Sequence, residues 1–136
     1  MTSKSGGDHN QWGRYCEVLF KAECLKRGIC VLTPECTHLA FDAVVFVDGK
    51  FYTVQIKGTR RINSADGHEA RFQMNGSACK KTYAERGVDY FAGYVQPLNA
   101  WFIVPIREIT GKTFALRLGP DAKATQWRDN WTPFGG

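Results

Sequence analysis

Apolar residues recur along this chain with two periods, and the change from one to the other marks out a short series of elements. Between residues 10 and 27, Trp12, Tyr15, Cys16, Leu19, Phe20, Ala22 and Leu25 follow the three-to-four spacing of a helix. Lys26 and Arg27 put cations in its last turn, and Gly28 supplies the stop. Residues 29–32 read as a short buried strand closed by Thr33-Pro34. Residues 41–57 carry two runs rich in Val, Phe and Tyr on either side of Asp48-Gly49. That dipeptide most readily takes the two positive-φ positions of a type I′ hairpin turn. In such a hairpin Val47 opposes Lys50, and counting back from the turn sets Asp42 opposite Gln55. Lys57 lies two residues further on and therefore on the same face, with Val44, Phe46 and Phe51.

Residues 58–76 are polar and basic, with Asp66-Gly67 able to turn a second, weaker hairpin. Residues 77–86 read as a helix capped by Ser77 and stopped by Gly87. Residues 88–95 and 101–104 are aromatic-rich strands, 105–109 a helical turn and 113–118 a further strand. The tail holding Trp127, Trp131 and Pro133 has no pattern that assigns it an element. Residues 1–9, polar with Gly6-Gly7, read as a flexible terminus, and 10–136 as a single domain. The order helix, strand, long hairpin, helix, strand, strand gives an α/β or α+β fold with a sheet packed by helices.

Composition narrows the picture. A chain of 136 residues supports one core and not two. With 43% hydrophobic and 13% aromatic residues it is a folding chain, not a disordered one. A net charge of +5 suits a polyanionic partner, nucleic acid first. The cysteines (Cys16, Cys24, Cys30, Cys36 and Cys79) form no C-x-x-C pair, which argues against a disulfide framework or zinc finger and for a reducing cytosol. Cys36 and His38 lack the second pair that a closed zinc site needs. Neither a signal pattern nor an apolar run of about 18–20 residues is present, so neither secretion nor a membrane span is expected.

The chemistry gathers on the hairpin face. Asp42 and the amide oxygen of Gln55 are hard ligands of the kind Mg²⁺ prefers. A lysine beside them can stabilise developing negative charge, orient a water, or act as a base if its pKa is lowered. This is equipment for hydrolysing a phosphodiester. The competing reading is a solvated hairpin edge or a structural ion pair on a half-buried sheet.

Glu17 in a first helix, Asp42 at a strand and Gln55-Ile56-Lys57 on the next strand together resemble the PD-(D/E)XK nuclease superfamily, in the variant where Gln replaces the acid of the E-x-K element. The chain looks most like the group I intron homing endonucleases of that fold from cyanobacteria, and more distantly like archaeal Holliday-junction resolvases. Gly13-Arg-Tyr-Cys-Glu17 followed by Gly28 is similar to the first helix of both groups, and residues 88–94 and 101–105 to their later strands. The resemblance covers roughly residues 10–118. It implies a restriction-endonuclease-like αβββαβ core with a mixed sheet. It also implies cytoplasmic, Mg²⁺-dependent cleavage of double-stranded or branched DNA by a homodimer or homotetramer, with Mn²⁺ able to substitute. By the same resemblance Asp42 is the principal metal ligand, Gln55, Glu17 and the backbone carbonyl of Ile56 complete the shell, and Lys57 is the catalytic lysine. Phe41 stands where the family has proline, and Gln55 carries one negative charge fewer than the family's acid, so weaker metal binding is expected. The alternatives that remain are a junction-resolving nuclease, and a non-catalytic nucleic-acid-binding or protein-interaction module on the same fold.

Two assignments rest on less. On a helical wheel the apolar arc centres near Leu19 and Tyr15, includes Glu23 and leaves Glu17 opposite, whereas the spacing to Gly28 and Asp42 favours Glu17. For the phosphate backbone, Arg60 and Arg61 leave directly from the second hairpin strand, and Arg71, Lys80, Lys81 and Arg86 are further candidates. Lys80 and Lys81 also fit the solvated face of a helix. His38 and His68 read as loop histidines.

Overall fold

The computed structural model describes residues 5–63, 67–74 and 82–136, with side chains of the first helix from residue 10 onward. Helix α1 (Ser5–Lys26) is followed by β1 (Cys30–Leu32), β2 (Ala43–Val47), β3 (Lys50–Thr59), β4 (Glu69–Gln73), β5 (Tyr90–Val95), β6 (Ala100–Pro105) and β7 (Thr113–Arg117). Single 3-10 turns fall at Gln96–Leu98, Ile106–Glu108, Lys123–Trp127 and Thr132–Phe134. The main sheet has the order β1-β2-β3-β5-β6, antiparallel throughout except for the parallel pair β3–β5. β4 and β7 form a separate antiparallel ribbon. Among the described residues this is an α+β fold, one helix with a mixed five-stranded sheet. No helix among the described residues is long and apolar enough to cross a membrane.

The hairpin β2–β3 has the register set by its turn. Val47 opposes Lys50 and Ala43 opposes Val54, with Asp48 at φ 51° and Gly49 at φ 76°. One face of the sheet buries Ala43, Val45, Val54, Ile56 and Ile103 under Cys16, Phe20 and Cys24 of α1. The other face buries Phe91, Val95, Phe102 and Val104 under Ala70 and Phe72 of β4 and Leu116 of β7. The ribbon covers β5 and β6 but stops short of β2, leaving Phe46 and Phe51 exposed.

Several expectations are corrected. The first helix begins at Ser5 and not at residue 10; residues 1–4 lie outside the described residues. The buried stripe of α1 is Cys16, Phe20 and Cys24, while Tyr15, Val18 and Leu25 are exposed, Leu25 by 71%. Small cysteine side chains behave here as hydrophobes and let the helix lie close to the sheet. Burial pushes their thiols up, Cys16 to about 11 and Cys24 to about 12, so both stay protonated. β1 is an edge strand with Cys30 and Leu32 exposed, not a buried one.

The second helix of an αβββαβ core is not found among the described residues. Residues 77–81 of it, Ser77, Lys80 and Lys81 included, lie outside them. Residues 82–86 form one turn, in which the Thr82 N–H donates to Glu85 Oε1 (2.8 Å) and the Glu85 N–H to Thr82 Oγ1 (3.1 Å). That reciprocal pair is a capping box, so the turn is capped at Thr82. Asp66 of the weaker hairpin also lies outside the described residues; beside it Asn63 and Glu69 form a single antiparallel bridge. The unassigned tail turns out to be core: Trp131 and Phe134 pack on Phe20 at ring separations of 5.6 and 6.3 Å.

Candidate active site

β3 outruns its partner. The Asp42 N–H donates to the Val54 carbonyl (2.8 Å), and past that point residues 55–59 have β5 on one side and no strand on the other. α1 crosses this gap. The Trp12 indole N–H donates to the Gly58 carbonyl (3.0 Å), and a Cβ at Gly58 would collide with Cys16 Sγ. The glycine is thus what lets the helix lie across the free edge of β3 and bring Glu17 to it.

The freed backbone of β3 is taken up by Asp42. Its Oδ2 accepts the Ile56 N–H (2.9 Å) and the Gln55 Nε2–H (3.1 Å). Backbone groups of alternate residues face the same edge, so the Ile56 carbonyl opens into the gap as its N–H does. The Gln55 amide explains itself locally: a carboxylate at that distance would repel Asp42, whereas the amide donates to it and keeps its own oxygen for another partner. Lys57 lies on the same face, beside Gly93 in the parallel register. The absent Cβ at Gly93 leaves room for the Phe91 and Phe72 rings against the strand.

These groups line an open cleft of about 600 Å³ together with Trp12, Glu17, Arg60, Arg61, Asn63, Arg71 and Gln73. Burial raises the Asp42 pKa, against the lowering effects of the Ile56 N–H, Lys57 and Lys21. Burial also raises Glu17, helped by the Asp42 charge and opposed by Arg14 and Lys21. Lys57 is pushed down by burial and pulled back by Asp42. Two desolvated acids and a desolvated lysine therefore face one another in a single cleft.

Among the described residues no three His, Cys, Asp or Glu side chains come together. What a cation would meet in the cleft is an all-oxygen set: the carboxylates of Asp42 and Glu17, the amide oxygen of Gln55 and the carbonyl of Ile56. That set suits a hard divalent cation, which would also relieve the mutual repulsion of the two acids.

The other candidates are distributed unevenly. Arg60 stacks over Trp12 at 4.5 Å, at the cleft mouth, and Arg61 and Arg71 line the wall. Arg86 sits over Tyr83 at 5.6 Å and does not line the cleft, nor do His38 and His68. Glu23 is held outside it by Arg27 (3.0 Å) and Lys26 (3.6 Å). Sequence reasoning missed Trp12, Asn63 and Gln73 on the lining, and the buried Glu69 beside it. A strand pattern was there to be read in Ala70 and Phe72, one residue apart with polar neighbours, and would have put Glu69, Arg71 and Gln73 on one face.

Comparison with known proteins identifies the family and the fold. A family model described as PD-(D/E)XK endonuclease matches residues 7–133. The bacterial homing endonuclease I-Ssp6803I is similar in structure with a TM-score of 0.71 at 19% identity, over 98% of this chain and 91% of that one. Hjc, a Holliday junction resolvase from Archaeoglobus fulgidus, superposes less closely, with a TM-score of 0.51 at 17% identity over 77% of this chain and 83% of its own. At such identities both likenesses concern the fold. No curated protein matches the chain.

Proposed function

The chain belongs to the PD-(D/E)XK endonuclease family, and from that premise we propose that it is a divalent-metal-dependent endonuclease hydrolysing phosphodiester bonds in duplex DNA, in the manner of a homing endonuclease. The observation that carries this reading is the convergence of Asp42, Glu17, Gln55, the Ile56 carbonyl and Lys57 in one cleft, where burial perturbs all three ionisable groups. Perturbed acids and a perturbed lysine facing one cleft are what a hydrolytic site requires and a structural ion pair does not.

In the reaction a water oxygen attacks phosphorus, the bond from phosphorus to the leaving oxygen breaks, and the two protons of the water end on bulk acceptors and on the departing alkoxide. Asp42 and Glu17, with the oxygens of Gln55 and Ile56, would hold Mg²⁺ or Mn²⁺. What the bound cation supplies is Lewis acidity: neutralisation of charge growing on the phosphoryl oxygens and a lowered pKa for water. Lys57 directs N–H donors at the phosphoryl oxygen, and its poor solvation strengthens that contact. The Ile56 and Gln55 hydrogen bonds fix the Asp42 carboxylate before substrate arrives, so little reorganisation remains at the moment of reaction. Arg60, Arg61 and Arg71 meet the backbone on either side. One chain has one such cleft, so cutting both strands requires two copies related by a dyad.

Incubation of the chain with supercoiled plasmid in Mg²⁺ should give nicked and linear DNA, with chelator and Asp42→Ala each abolishing it. Salt-sensitive binding with no metal-dependent nicking would leave a binding module instead. A preference for four-way junctions over linear duplex of any sequence would move the assignment to a junction-resolving nuclease.

A further inference from the structure

The ribbon β4–β7 carries a charge arrangement that the cleft chemistry does not use. Glu69 is only 8% exposed, the sole buried charged side chain among the described residues. Its Oε1 accepts from Arg71 Nε (2.9 Å) with Arg71 Nη2 also 2.9 Å away, and its Oε2 accepts from Arg117 Nη1 at 3.4 Å. Arg71 is two residues along the same strand, and Arg117 stands directly opposite Glu69 in the register. The carboxylate is covered while the arginines are not: their side chains are 55% and 61% exposed. Arg71 also lines the cleft, so the ribbon face continues its wall.

We infer that Glu69 is a positioning residue that holds Arg71 and Arg117 as a paired clamp for backbone phosphates of the DNA strand running out of the cleft. The inference rests on the nuclease reading and adds to it a second anchoring point, with Arg117 as a contact. A long flexible arginine loses rotamer freedom when it binds phosphate, and a buried carboxylate gripping one edge of the guanidinium removes much of that loss in advance. Each guanidinium carries N–H donors beyond those Glu69 takes, and both side chains are more than half exposed. On the same ribbon face Ala115 stands opposite Arg71, and Gln73 and Thr113 lie one pair further on, all three uncharged. The bland alternative is an ionic network that merely staples β4 to β7.

The two ideas differ in sign. Glu69→Gln makes the chain more positive, so long-range electrostatics alone would tighten DNA binding. The clamp predicts that it weakens, because both guanidiniums lose their anchor. Anisotropy of a labelled duplex of about 30 base pairs, titrated with the full chain in chelator across about 50–200 mM salt, reads this directly. The expected result for Glu69→Gln is about three- to tenfold weaker binding. Arg117→Ala should lower the slope of log affinity against log salt by about one. Glu69→Gln binding as tightly as the unaltered chain or more tightly, with only its Tm lowered, overturns the clamp and leaves the nuclease reading standing. If Glu69→Gln does not fold, Arg117→Ala decides, and an unchanged affinity and slope overturn it. Absence of DNA binding by the unaltered chain sinks both readings.

Discussion

Two glutamates on α1 make an instructive pair. Glu17 and Glu23 lie on one helix with side chains 24% and 23% exposed, so burial does not distinguish them. Their company does. Glu23 has a cation on each oxygen, Lys26 on one and Arg27 on the other, and Arg27 is itself packed over Trp131 at 5.0 Å. Glu17 has one ion-pair partner, Arg14 at 3.5 Å, with Lys21 acting on it through space, and feels the negative charge of Asp42. One acid is neutralised by its own helix and the other is left short of positive charge, facing another carboxylate. Among the described residues the proposed site acid is the one of the two with fewer ion-paired cations.

Substitutions probe that contrast in descending order. Asp42→Ala removes the group that organises the cleft, and single-turnover nicking in Mg²⁺ should fall by about 10³-fold or more. Glu17→Gln should cost about 10²-fold, with part of the loss recovered at high Mn²⁺, while Glu23→Gln under the same assay should stay within about twofold. Equal losses at the two positions would end the distinction.

The next effect is structural. Gly58→Ala forces its methyl against Cys16 Sγ, so it should destabilise the chain by about 1–3 kcal/mol in denaturant unfolding. It should also reduce cleavage by shifting Glu17 away from Asp42. Cys16→Ala in the same chain should restore much of both, and failure of that rescue would show that the close approach of helix and strand is not what matters.

Metal-free stability should separate the acids by pH. Burial holds the Asp42 and Glu17 carboxyls above the usual range, so the folded metal-free chain binds their protons more tightly than the unfolded chain does. The stability this brings is complete below the ordinary carboxylate pKa and is lost as pH rises through the raised values. Glu17→Gln should therefore raise Tm in chelator at pH 7 and have little effect in acid. Added Mg²⁺ should narrow the difference by stabilising the unaltered chain more. Smallest of all, Glu23→Gln should lower stability by about 0.3–0.5 kcal/mol, the worth of an exposed helical ion pair, and high salt should erase it.

What could be read in the sequence follows from how local its causes are. The hairpin was legible because Asp48-Gly49 fixes both the turn and the register, and the register alone put Asp42, Gln55 and Lys57 on one face. The face of α1 was misjudged because the wheel centred the arc on Tyr15 and Leu19, although two cysteines form its buried stripe. Glu17 was chosen by family resemblance and not by periodicity. Of the ribbon only β7 was legible, as the strand at 113–118; β4 and its pairing were hidden because Glu69 and Arg117 are 48 residues apart. The tail was hidden too, since Trp131 and Phe134 belong to a 3-10 turn whose burial depends wholly on partners elsewhere in the chain.

That tail sets a condition on when the protein can become itself. Phe20, near one end, is enclosed by Trp131 and Phe134, near the other. No chain lacking Trp131 and Phe134 can complete the pocket around Phe20, on the helix that carries Glu17. Contacts of such long sequence separation form late and slowly. A chain without those two rings would keep the hairpin and its polar face but lose the packing that seats the helix and brings Glu17 to it.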